Sequence, residues 1–92
     1  MADQYLPIIQ PEDYEAFRAI VGDEIPPTHA GWTRLLNDYN RHIAMSGNRA
    51  IGGYIRPDEF TTWMSANDKP PTMPSLREFA RTKAGHDFKL PG

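Results

Sequence analysis

Apolar and polar positions follow a helical period over most of this chain. Between residues 11 and 21, Tyr14, Phe17, Ile20 and Val21 recur at spacings of three, three and one, which places them on one stripe of a helix. Pro11 suits the first helical position, where a missing N–H has no helical partner to lose. Glu12, Asp13 and Glu15 crowd the first turn, where the helix dipole favours negative charge. Gly22 is the stop signal. Pro26-Pro27 then hold a connector extended, with Ile25 as its anchor. A second, longer helix is predicted over 29–46. Thr28 is its N-cap, and Trp32, Leu35, Leu36, Tyr39 and Ile43 form its apolar face. Gly47-Asn48 ends it.

Two shorter helices follow. One spans 57–67, again opening on proline and acids (Pro57, Asp58, Glu59), with Phe60, Trp63 and Met64 inward. The three prolines of KPPTMP exclude helix there. The other spans 75–84. Either Ser75 opens it as a late cap, with Glu78 three residues later in a capping-box pattern, or Pro74 is its first position. Leu76, Phe79 and Ala80 face inward, and Gly85 ends it. Three stretches lie outside this scheme. Residues 1–10 read as extended, either coil or a short edge strand. Their patch of Tyr5, Leu6, Ile8 and Ile9 is interrupted by Pro7 and should pack on the domain. The stretch NRAIGGYIR reads as a short β-hairpin turning at Gly52-Gly53 (residues 50–55) or as a glycine loop. Residues 86–92 form a tail, with Phe88 to pin it. The expectation is therefore an all-α fold: a small four-helix domain, with or without that short hairpin between helices two and three. Its core should hold Tyr14, Phe17, Ile20, Trp32, Leu35, Leu36, Tyr39, Ile43, Phe60, Trp63, Leu76 and Phe79.

Composition changes this picture little. At 92 residues the chain is one domain with a modest core, and its ten aromatic rings compensate for few aliphatics. There is no cysteine, so thiolate metal sites and cysteine nucleophiles are excluded. No apolar run approaches the roughly 20 residues of a membrane helix. The start, MADQYLPIIQ, lacks the basic-then-apolar order of a signal peptide. A cytoplasmic protein without membrane association is expected. A domain this small, without staples, also invites self-association as a homodimer.

Charge is uneven. The net charge is −2, but residues 1–30 carry −5, residues 31–68 balance, and residues 69–92 carry +3. The two ends could meet within the chain or between two copies, or the basic end could face an anionic partner. Candidate chemistry is sparse. His29 and His42 lie about 20 Å apart along a helix, and Asp38 with His42 supplies only two ligands, so no metal or other cofactor is expected. The acid pairs sit at helix starts, where they stay ionised rather than serve acid–base catalysis. Ser46, Ser65 and Ser75 lack a nucleophile elbow. No catalytic residue and no enzymatic activity is predicted. Arg49 and Arg56, around the GNRAIGG segment, are candidate anion contacts, although that segment lacks the lysine of a P-loop. Arg77, Arg81, Lys83 and Lys69 are the candidate contacts to a partner or to nucleic acid. The expected function is a non-enzymatic protein–protein interaction or accessory module. The alternative is a helix-turn-helix-like DNA-binding protein reading through residues 75–84, although the eight-residue connector exceeds the usual tight turn.

Overall fold

The computed structural model describes residues 3–87. Its order is β1 (Asp3–Ile9), a 3-10 turn at Pro11–Asp13, α1 (Tyr14–Val21), a second 3-10 turn at Gly22–Glu24, α2 (His29–Met45), β2 (Arg49–Ile55), α3 (Pro57–Asn67), α4 (Met73–Thr82) and β3 (Ala84–Asp87). The four helices fall close to where the periodicity puts them. The all-α expectation is wrong, however: the helices pack around a three-stranded mixed sheet of order β1-β2-β3.

The sheet bears out one local expectation, the edge-strand reading of the N-terminal segment, and corrects another. The extended N-terminal segment is an edge strand, paired in parallel with β2 from Asp3↔Arg49 to Ile9↔Ile55. The stretch around Gly52-Gly53 is neither hairpin nor loop. It is the continuous central strand, with β1 on one side and β3 antiparallel on the other. The β2–β3 ladder slips between Gly52 and Gly53, and β3 takes up the start of the expected tail. Phe88 lies outside the described residues.

Parallel strands cannot be joined by a tight turn and need a crossover, usually helical. Here α1 and α2 form it. Gly22, with φ +60, ends α1 as the composition predicts. The connector that follows is pinned at several points. Arg18 Nη1 donates to the Gly22 and Ile25 carbonyls at 2.9 and 3.1 Å, and Ile25 is buried. Thr28 then caps α2, its hydroxyl accepting from the Gly31 N–H at 3.1 Å. Gly47, φ +78, turns the chain into β2.

The start of α4 differs from expectation by two residues. Thr72, not Ser75, is the N-cap, accepting from the Ser75 N–H. Pro74 is tolerated because the first N–H groups of a helix have no partner. The Glu24 carboxylate accepts the Met73 N–H at 3.0 Å, joining the connector after α1 to the start of α4.

Most predicted core residues are buried: Tyr14, Phe17, Trp32, Leu36, Ile43, Phe60, Leu76 and Phe79. Ile20, Leu35, Tyr39 and Trp63 are only half-buried against them. The strands add Leu6, Pro7, Ile8, Ile9, Ile51 and Ile55. Strands covered on both faces read as continuous apolar runs without alternation, and LPII is such a run.

Gly53 fixes how α4 meets the sheet. A Cβ placed there would overlap the Ala80 carbonyl, so only glycine allows the helix backbone this close to the central strand. Gly53→Ala is expected to lower stability by about 1–3 kcal/mol or more, read as a reduced urea midpoint at unchanged slope. A midpoint equal to wild type would contradict this seating of α4.

Candidate functional site: an arginine–tyrosine groove

The groove is built where the first half of β1, α2 and α4 converge. Alternation on β1 puts Tyr5 and Pro7 on the same face as Gly53, the face that α4 covers. On α4, Leu76, Phe79 and Ala80 turn inward. That leaves Arg77 half-buried at the margin and Arg81, one turn on, exposed. The start of α2 sits by the end of β1, where His29 Nε2 and the Ile9 carbonyl are 2.8 Å apart. Ten residues further along α2, Tyr39 reaches Arg77, which in turn contacts Tyr5 nearer the start of β1. The result is an open groove of about 600 Å³ between Tyr5, Tyr39, Met73, Arg77 and Arg81, with Asp3 and Glu78 on its rim.

Each guanidinium is held over an aromatic ring. Arg77 lies 5.5 Å from the Tyr39 centroid and Arg81 lies 5.7 Å from that of Tyr5. Arg77 also donates through Nε to the Tyr5 carbonyl and through Nη2 to Gln4 Oε1, both at 3.4 Å. These contacts also guard the edge of the sheet. An unpaired edge strand invites association through its backbone. On β1 the side facing away from β2 carries Pro7, which has no N–H. The Arg77 and His29 side chains occupy the Tyr5 and Ile9 carbonyls.

The other candidates do not converge. Lys69 pairs with Glu78 at 3.1 Å and Lys83 with Glu59 at 3.3 Å. Arg49 opens β2 and Arg56 follows its last residue, about 23 Å apart at strand rise, and so they do not share an anion. Arg56 is bound to Asp13 at 2.9 Å, a charge attraction rather than an aligned hydrogen bond. Asp38 is engaged by Arg41 rather than by His42. Among the described residues no three of His, Asp and Glu cluster to hold a metal. The acidic beginning and basic end of the chain do meet, through β1 and α4, but the partners of Arg77 and Arg81 are tyrosines, a glutamine and a backbone carbonyl rather than Glu12 or Glu15. The sequence shows the arginine pair, one turn apart. It does not show Gln4, Tyr5 and Tyr39 as its partners, because they arrive from two other elements.

Compared with protein-family models, with curated proteins and with solved structures, the chain matches none.

A second polar feature secures the crossover on the far side of β1. The Tyr14 hydroxyl donates to the Pro26 carbonyl at 2.5 Å, and the ring packs edge-on to His29 with centroids 5.5 Å apart. Burial pushes the Tyr14 phenol up to about 12, with Arg18 opposing and Glu15 adding to the shift. The phenol in the unfolded chain ionises near 10. The folded state therefore keeps its advantage below about pH 10 and loses it as pH rises through about 12. A tyrosine titration followed by ultraviolet absorbance should show one phenol ionising near pH 12, absent in Tyr14→Phe. Ionisation of every phenol near pH 10 in folded protein would contradict this.

Proposed function

We propose that this chain is a non-enzymatic interaction module that holds a protein partner on the face formed by β1 and α4. The observation that carries this reading is the groove itself: two guanidinium groups lying over tyrosine rings, beside half-buried Tyr39 and Met73. Arginine and tyrosine are enriched where protein partners bind, because each combines a large contact area with polar groups in a fixed geometry. The proposal includes a cytoplasmic setting, to which a cysteine-free chain is suited.

The DNA-binding reading has less support. A reading helix presents several cations and amides to base edges and phosphates. The face that α4 turns to solvent shows Pro74, Glu78, Arg81 and Thr82, and Lys69 and Lys83 are already compensated by acids. The connector between α3 and α4 runs over residues 68–72, still longer than the usual turn. The Asp68 backbone, with φ 53, starts it in the left-handed region.

The test is affinity capture from the native cell extract with three proteins: wild type, Arg81→Glu with Tyr39→Ala, and a control, Arg34→Glu, on the exposed side of α2. The proposal expects a stoichiometric partner retained by wild type and control and lost by the groove variant. Retention of duplex DNA, falling steeply with salt and lost in the groove variant, would instead establish the DNA reading.

A further inference from the structure

We infer that the Arg77–Arg81 groove is a receptor for two carboxylates of an acidic segment on a partner protein, spaced to match one helical turn. The inference rests on the groove being the interaction site and goes on to name the chemistry that fills it.

Arg77 is positioned before any ligand arrives, and exposed Arg81 lies beside it against a ring. Arg77 is fixed by the Tyr5 carbonyl, Gln4 Oε1 and the Tyr39 ring. These contacts use two of the five N–H donors a guanidinium carries. Arg81 rests on the Tyr5 ring, and no carboxylate among the described residues pairs with either arginine. Positively charged, planar and held in place, such groups are suited to carboxylate recognition through paired N–H bonds. Positions four apart on a helix have Cβ atoms about 5–6 Å apart. Acids at i and i+4 of a partner helix, or at i and i+2 of an extended strand at about 3.3 Å per residue, are rooted at a comparable spacing. Half-buried Tyr39 and Met73 offer apolar surface to the stems of those acids.

The charges of the groove select the class of partner. Asp3 and Glu78 also line it, and Glu78 is paired with Lys69. With Lys69 and Lys83 engaged by acids, Arg77 and Arg81 are the cations on offer, which suits a pair of carboxylates better than a polyphosphate backbone. Pairing of a partner strand with β1 is disfavoured by Pro7 and by the side chains on the Tyr5 and Ile9 carbonyls.

The experiment is an NMR titration of the full chain at about 10 mM ionic strength, where screening extends to about 30 Å. The probe is an acetylated and amidated alanine-based helical peptide with two glutamates at i and i+4. The comparisons are its two-glutamine counterpart, inorganic phosphate and a short DNA duplex. Shifts should centre on Tyr5, Tyr39, Arg77 and Arg81. Binding should weaken by about tenfold or more for the glutamine peptide and for Arg81→Gln, with partial recovery in Arg81→Lys. Arg81 is exposed, so the variant keeps its fold. Equal binding of the glutamine peptide, or tighter binding of phosphate or DNA, overturns the inference. So does concentration-dependent self-association abolished by Glu12→Gln with Glu15→Gln, because the groove would then serve a second copy of this chain. If the peptide fails while the groove variant still loses its captured protein, the carboxylate chemistry falls and the interaction reading stands. If capture is indifferent to the groove while the peptide binds, the interaction reading falls.

Discussion

Everything in this domain depends on one long-range pairing, the parallel ladder between β1 and β2. It joins Asp3 to Arg49 and Ile9 to Ile55, so the chain must cover a long crossover before a single bond of the ladder forms. The loop entropy of such a closure grows only slowly with length, and the crossover is itself mostly helix. Burial of Leu6, Ile8, Ile9, Ile51 and Ile55 on the sheet then offsets the cost of ordering, at about 1.5–3 kcal/mol for each large aliphatic side chain fully removed from water. α4 closes over the ladder at the one point where the strand has no side chain, Gly53 against the Ala80 carbonyl.

The groove is a by-product of that arrangement. Because α4 approaches β2 so closely, half-buried Arg77 and exposed Arg81 both reach Tyr5 in the N-terminal half of β1. Because α2 returns beside β1, Tyr39 is available beneath Arg77. The same side chains that shape the groove block the edge of the sheet. Arg77 belongs to both: its Nε holds the Tyr5 carbonyl, which keeps a foreign strand away, and its side chain lines the groove. A substitution at Arg77 therefore alters edge protection and the groove together, whereas one at Arg81 alters the groove alone.

The helices were legible in the sequence because their signals are local. Pro57 with two acids, Thr28 before an apolar stripe, and Gly22 and Gly47 after one each act within a turn of the residue they govern. Of the sheet, an edge strand at residues 1–10 was one of two sequence readings; its partner and the central strand were not legible, for physical reasons that apply residue by residue. Leu6, Pro7, Ile8 and Ile9 are all buried, so β1 shows no alternation. Pro7 reads as a breaker unless the strand is known to be paired on one side only. Gly52-Gly53 carries the local signature of a hairpin turn, yet Gly53 is required by a helix 27 residues away that no local pattern reveals. The site was half legible. The arginines at i and i+4 stand out in the sequence, while the rings beneath them come from β1 and α2, and only the tertiary fold brings them together.

The parallel ladder is most directly tested by cross-strand nuclear Overhauser contacts in isotope-labelled protein. The fold requires contacts linking Gln4, Leu6 and Ile8 to their neighbours around Ala50, Gly52 and Tyr54, all running in the same direction along the two strands. Contacts pairing Ile51 with Tyr54 across a turn at Gly52-Gly53, with none to residues 4–8, would show a local hairpin in place of the ladder and would remove the basis for the groove.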